Sequence, residues 1–261
     1  MQTYYDTLEI RPAEEREAAL FAALPKQIAH AQQNSPAMAE ILAGVDAASI
    51  TSREALATLP VTRKYELLER QKAQRALNAF GGFSAIGYGP NMGRVFASPG
   101  PIYEPEGKAR DYWRMGRAMH ASGFRSGELV HNCFSYHFTP AGSMMENGAH
   151  ARGCTVFPGG IGQTEQQVQA MLELHPAGYV GTPSFLKIIL EKAAEMGVSL
   201  PSVTKAMVSG EACPPSLRDW FAERGVQVFQ CYATADLGLI AYETKAREGM
   251  VLDEHVIVEI V

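Results

Sequence analysis

Cysteine is scarce in this chain of 261 residues: only Cys133, Cys154, Cys213 and Cys231, with no CxxC pair among them. That spacing supplies neither a disulfide framework nor a zinc ribbon, and a reducing cytoplasm is its natural setting. No stretch reaches about 18 apolar residues, and the opening MQTYYDTLEIRPAEERE has no apolar signal core. A soluble protein without a membrane span is therefore expected. Clustered Lys and Arg are also missing, and the formal net charge is −5. Affinity for a phosphate backbone comes from such clusters, so a general nucleic-acid binder is excluded. There is no internal repeat and no low-complexity tract.

What is present is an ordinary globular composition, with 46% hydrophobic and 20% charged residues. The length suits one large α/β domain or two small ones. Residues 12–34 place Ala18, Leu20, Phe21, Leu24, Ile28 and Ala31 at helical spacing, and further helical patterns follow near residues 37–42, 52–56 and 62–68. Thr62 reads as the cap of the last, with Glu66 in its first turn. Residues 1–80 are thus expected to form a helical segment packed on a core of residues 81–261.

From residue 79 to 107 the texture turns rich in glycine and proline, broken by the strand-like Arg94–Ala97. Beyond it, short apolar runs alternate with helical ones. Strands are expected at 129–133, 154–157, 177–180, 206–209 and 226–229. Helices are expected at 112–122, 144–151, 164 onward, 183–196 and 214–224. Thr164 reads as a cap whose box Gln167 completes. Short strands separated by helices imply right-handed crossovers and a mostly parallel sheet flanked by helices.

Three segments carry a resemblance. The first is Phe157-Pro158-Gly159-Gly160-Ile161-Gly162-Gln163-Thr164-Glu165-Gln166-Gln167-Val168, followed by Gly181-Thr182-Pro183-Ser184. The second is Ser209-Gly210-Glu211-Ala212-Cys213-Pro214. The third is the polar turn Gln230-Cys231-Tyr232-Ala233-Thr234-Ala235-Asp236, trailed by a strand-like Leu252–Ile260. In this order they resemble the phenylacetate–CoA ligase family of adenylate-forming (ANL-type) enzymes, over nearly the whole chain.

The resemblance implies the N-terminal portion of such a fold and a two-step reaction, acid + ATP + CoA giving acyl-CoA, AMP and pyrophosphate. It implies that Gly210, Glu211, Ala212, Cys231, Tyr232 and Ala233 hold the nucleotide, with Ser98 and Gly100 in the phosphate-loop slot. Asp236 would be the catalytic Mg²⁺ ligand. Tyr136, His137, Phe138, Gly159, Gly160 and Thr182 would line the acid pocket. ATP or AMP, Mg²⁺ and coenzyme A are the implied co-substrates, a carboxylic acid the partner, and a homodimer the expected assembly.

The chain also departs from the family's pattern. The slot reads Ala97-Ser98-Pro99-Gly100-Pro101-Ile102-Tyr103-Glu104-Pro105-Glu106-Gly107. A phosphate cradle needs consecutive N–H donors, hydroxyls and a cation. Pro99 and Pro101 remove two donors, and Glu104 and Glu106 add charge of the wrong sign. Ala235 stands where the family has Ser or Thr, and Asp236 where it has Glu. Near Thr244 the Cys with which some members hold a structural metal is missing, so no structural zinc is expected. The chain stops at Val261, before the family's C-terminal domain, and an incomplete enzyme is expected. The alternative is a non-catalytic nucleotide or acyl/aryl-CoA binding protein derived from that fold. The bland reading treats Glu211 as solvated, Tyr232 as packing, and His30, His120, His131, His150, His175 and His255 as structural. Cys133, Cys154 and Cys213 read as small buried apolar residues.

Overall fold

The structure, a computed structural model, describes residues 4–260. Two compact units are present, Thr7–Lys108 with residues 254–260, and Ala109–Asp253 with residues 4–6.

In the first unit, α1 (Ala13–Asn34) is followed by α2 (Pro36–Ile41), α3 (Arg53–Leu56) and α4 (Lys64–Gln74). Ser35 caps α2, its hydroxyl accepting from Met38 N at 3.3 Å, with Pro36 supplying the preset first turn. Ile28, Leu42 and Ile50 form the buried core of these helices. The cap of α4 differs from expectation by one residue. Arg63 holds the cap position, and Glu66 reaches back to accept its backbone N–H at 3.0 Å.

The glycine- and proline-rich stretch then forms an antiparallel hairpin, β1 (Met92–Ser98) and β2 (Ile102–Gly107), with Ser98 paired to Ile102 across the Pro99–Pro101 turn. Gln71 of α4 clips this hairpin by donating to Tyr103 O at 2.9 Å and accepting from Tyr103 N at 2.8 Å.

The second unit begins with an irregular run and α5 (Gly116–Ala121), a shorter helix than expected. Asp111 and Arg114, both at positive φ, keep the preceding residues out of helix. The alternation then follows as read through β3 (Leu129–Asn132), α6 (Ala141–Ala151), β4 (Thr155–Phe157), α7 (Thr164–Leu174), β5 (Gly178–Gly181), α8 (Pro183–Glu195), β6 (Lys205–Val208) and α9 (Pro215–Ala222). It ends in β7 (Gln227–Thr234), longer than expected, and in β8 (Gly238–Tyr242) and β9 (Val251–Leu252), which lie outside the expected alternation. The sheet order is β4-β3-β5-β6-β7-β8-β9, parallel from β4 to β7 and antiparallel beyond.

One face of the sheet buries Tyr179, Ala206, Val208 and Val228 against Val168 and Met171 of α7, Leu186, Ile189 and Ala193 of α8 and Phe221 of α9. Each fully buried aliphatic or aromatic side chain here is worth about 1.5–3 kcal/mol. Alternation sends Val180, Met207 and Phe229 to the opposite face, where they too are buried.

Two readings need correction. Gln230–Thr234 is not a turn but the second half of β7, which pairs with β6 in its first half and with β8 in its second, across a bulge between Tyr232 and Ala233. The turn is confined to Ala235–Leu237. Residues 253–260 carry no strand beyond β9.

Candidate functional site

Among the parallel strands, β3 stands between β4 and β5, so successive crossovers leave it in opposite directions. Numbered among themselves, these strands run 2-1-3-4-5. In open α/β sheets, ligands bind outside the carboxyl ends at such a reversal. Here the reversal lies between β3 and β5, and the turns leaving β3, β4, β5, β6 and β7 all open on that edge. They carry Tyr136, His137 and Phe138; Gly159 and Gly160; Thr182; Gly210, Glu211 and Ala212; and Asp236. Cys231, Tyr232 and Ala233 lie in β7 as it reaches the same edge. Ser98 and Gly100 lie in the β1–β2 hairpin region of the first unit.

The β3 turn is held by Asn132. Its amide donates to Tyr136 Oη and to Gly142 O, both at 2.8 Å, while its carbonyl accepts from Phe134 N at 3.1 Å. Tyr136 Oη in turn donates a hydrogen bond to Glu146 Oε2 at 2.9 Å. His137 and Phe138 stand outside this network, Phe138 at positive φ and 81% exposed.

The β4 turn is shaped by Gln167 and His131, both read above in structural roles only. Gln167, on the first turn of α7, does not cap its helix. Gln163 occupies the cap position in left-handed geometry, and Gln167 turns inward. Its amide donates to Gly159 O at 2.9 Å and to Gly160 O and Gly162 O at 3.2 Å. Its carbonyl takes the Nε2 proton of His131 at 2.6 Å. That choice of donor fixes the tautomer and leaves His131 Nδ1 as a buried lone pair without a partner among the described residues. Burial lowers the imidazole pKa, and the ring stacks on Phe157 at 4.9 Å. Gly159 is required here, since a Cβ would stand 2.4 Å from Gln167 Oε1. The Gln-Thr-Glu-x-Gln spacing held this signal: Gln167 lies one helical turn past Gln163, on the face toward the glycines.

Thr182 caps α8, its hydroxyl accepting from Phe185 N at 3.4 Å. Glu211 reaches the same helix start and accepts Ser184 N–H at 2.8 Å, and its hydrogen bonds with Ser184 hold its carboxyl below the ordinary range. The Gly210–Glu211 turn is thereby tied to β5. Gly210 itself is at φ 85°, a conformation costly for any side chain, with Thr182 Cγ2 and Phe134 Cε1 just beyond the place of its missing Cβ.

From the other side, Cys213 N donates to Gln230 Oε1 at 2.9 Å, and Ser209 Oγ to Cys231 O at 2.8 Å. Gln230 is in turn held by Glu243, which accepts Gln230 N at 2.8 Å and binds Arg218 through two bonds of 2.9 and 2.8 Å. Burial alone would raise the Glu243 pKa, but the bonds from Arg218 and Gln230 outweigh it and the net shift is downward.

Cys231 is buried and its thiol is pushed up to about 12 by desolvation, so it meets the edge only through backbone. Tyr232 is 56% exposed and available for stacking. Asp236 is exposed at the tip of the β7–β8 turn. The edge therefore offers glycine turns, the exposed rings of Phe138 and Tyr232 and the carboxylates of Glu211 and Asp236. Ser98, by contrast, donates to Glu104 at 2.8 Å inside its hairpin.

The profile of AMP-binding enzymes matches residues 109–255, more than half of the sequence. This chain belongs to that family. Among curated AMP-binding relatives it is similar to the phenylacetate-coenzyme A ligase of Aromatoleum evansii, 26% identical over 98% of this chain and 60% of the relative. The phenylacetate-coenzyme A ligase of Thermus thermophilus is 27% identical, over 99% of this chain and 60% of the relative. The chain thus spans about three fifths of the curated relatives it matches. Among solved structures, a 2-hydroxyisobutyryl-CoA ligase bound to 2-HIB-AMP and CoA superposes with TM-score 0.82 at 26% identity, covering 92% of this chain and 55% of that one. Among the described residues, no helix is long and apolar enough to cross a membrane.

Proposed function

We propose that this chain forms the acid- and nucleotide-binding part of an AMP-forming carboxylate–CoA ligase of the phenylacetate type. The observation that supports it most is the convergence of the Gly159, Thr182 and Gly210 turns with Tyr232 on the edge where the strand order reverses. In this reading Tyr232 stacks on adenine, with Gly210–Ala212 and the backbone of Cys231 and Ala233 as its wall. The Asn132–Tyr136–Glu146 chain and the Gly159–Gly160 turn shape the acid pocket, and His137 and Phe138 close over it. Glu211 acts by bracing the adenine wall against α8.

The reaction begins as a carboxylate oxygen attacks the α-phosphorus of ATP, whose bond to pyrophosphate breaks. The CoA thiol, losing its proton, then attacks the acyl carbon and releases AMP. Mg²⁺ held partly by substrate phosphates needs only one or two protein carboxylates, which Asp236 fits. When bound, it would offset charge on the phosphoryl oxygens. A cytoplasmic homodimer belongs to the same reading.

A second reading, a non-catalytic binder of a nucleotide or an acyl- or aryl-CoA, is favoured by one observation. Ser98 is committed to Glu104, and its neighbours Pro99 and Pro101 have no N–H to offer.

Calorimetric titration of the chain with AMP and with ATP, each with and without Mg²⁺, tests both readings. It is followed by an assay for acid-dependent pyrophosphate release. Mg²⁺-dependent ATP binding with release supports the ligase, and AMP binding without turnover supports the binder. Absence of binding by either nucleotide refutes the adenylating reading for this chain.

A further inference from the structure

A second concavity lies away from the carboxyl edge. After β8, residues 243–247 run beside the amino half of β7, with Glu243 N donating to Gln230 O at 2.9 Å. Between this segment, β7 and α9 lies a cavity of about 560 Å³. That size lies within the range of small-molecule sites, about 300–1,000 Å³.

Its lining is mixed: Ala222 and the stretch Val226–Phe229 of β7 border it, and Asp219, Lys245 and Arg247 stand around it. Arg218 also faces it but is committed to Glu243 and to Val228 O. Neither Lys245 nor Arg247 has a side-chain hydrogen bond or ion pair among the described residues. The Arg247 guanidinium instead lies over the Phe229 ring, 4.8 Å from its centre. Burial and repulsion from Arg218 both disfavour charge on Arg247, as its lowered pKa reflects, and a bound anion would relieve both. Two cations without a hydrogen-bonding partner among the described residues, beside a lining that is half apolar, suit an anion with an apolar body.

We propose that this cavity is a binding site for an organic phosphate, its phosphate held by Lys245 and Arg247 and its apolar portion laid between Ala222 and the Val226–Phe229 stretch of β7. The site is separate from the adenylation edge and does not depend on activity there. Asp219 stands on the same rim and opposes the anion, so its neutralisation strengthens binding.

The test is calorimetric titration of the whole chain with phenyl phosphate at low ionic strength, in the presence of saturating AMP, with inorganic phosphate as comparison. One saturable site is expected, weakened by salt and unaffected by AMP. Lys245→Ala and Arg247→Gln should each weaken it about tenfold, as for loss of one charge-assisted contact. Asp219→Asn should tighten it severalfold. Asp219 and Lys245 are exposed and Arg247 is only partly desolvated by its neighbours. Melting curves verify that each variant folds; Lys245→Ala carries the test alone if Arg247→Gln does not. Three outcomes would overturn the proposal: no saturable heat at millimolar phenyl phosphate, unchanged affinity in the two cation variants, or equal affinity for inorganic phosphate.

Discussion

Substituting Gly159 by Ala tests whether Gln167 and His131 really set the glycine turn. The new Cβ would stand 2.4 Å from Gln167 Oε1 and 2.8 Å from His131 Nε2, the two atoms that share the 2.6 Å hydrogen bond. Backbone is not the obstacle, so the flexible Gln167 must yield. Its withdrawal surrenders the His131 bond and the donations to three glycine carbonyls. It would also leave the buried His131 with neither ring nitrogen satisfied.

An unsatisfied buried polar group costs about 1–3 kcal/mol. Gly159→Ala is therefore expected to destabilise by about 2–3 kcal/mol, with partial recovery of the glycine carbonyls by water. Gln167→Ala removes the same bonds without a clash and should cost a similar amount. The decisive quantity is the double variant. With Gln167 gone the extra methyl closely meets only His131 Nε2, at 2.8 Å, so the second substitution should add less than Gly159→Ala does alone, a coupling of about 1–2 kcal/mol. Urea unfolding followed by circular dichroism and by tryptophan fluorescence measures it. Additive single effects would refute the account of the turn, as would a Gly159→Ala cost under about 0.5 kcal/mol, the range of neutral surface changes.

Glu243→Ala strands Arg218 beside β7. Breaking a buried pair costs about 3–5 kcal/mol, and the 20% exposure of the Arg218 side chain reduces the expectation to about 2–3 kcal/mol in thermal or urea unfolding. Because the folded pKa of Glu243 lies below its ordinary value, this contribution is present above the carboxylate range and is lost as pH falls through the folded pKa. The stability gap between wild type and Glu243→Gln should therefore close on acidification, and a gap independent of pH would contradict the assignment. Tyr232→Ala should weaken AMP binding about 5- to 100-fold, the value of base–aromatic stacking, while leaving the melting temperature unchanged; calorimetry reads both halves of that statement. Burial holds the Cys154 and Cys231 thiols near about 11 and 12, so native protein should resist a thiol reagent at mildly alkaline pH and react on adding denaturant.

The alternation of β3 through β7 with α6 through α9 was legible in the sequence because each strand is a short apolar run and each helix has a cap or a periodic face. Element order, however, does not specify strand order. That β3 rather than β4 lies inside the sheet is seen only in the strand pairing, and it alone locates the reversal. The length of β7 was hidden because its second half carries Gln230 and Thr234, which read as turn residues until β8 is there to pair with them. Gln167 was visible as part of a motif, but its partner His131 lies on a different element and pairs only through the fold. The same holds for Arg218 and Glu243. Glu211 is exposed, as its bland form has it, but is also joined to Ser184 at the start of α8. The turns that would hold a ligand were recognisable from glycine and polar composition; the side chains that hold those turns were not.

The position of β3 also bears on how the chain reaches its native state. Val130 pairs with Gly178, and between them lie α6, β4 and α7. The strand pair flanking the crevice therefore closes a long loop and must await an entire helix–strand–helix excursion. Contacts of such sequence separation form late and slowly compared with local ones. The α8–β6–α9–β7 half, whose neighbours follow one another along the chain, can assemble while the crevice is still absent. Binding competence would then be the last property acquired during folding, and a ligand seated between β3 and β5 would act as a clamp on the slowest closure in the sheet.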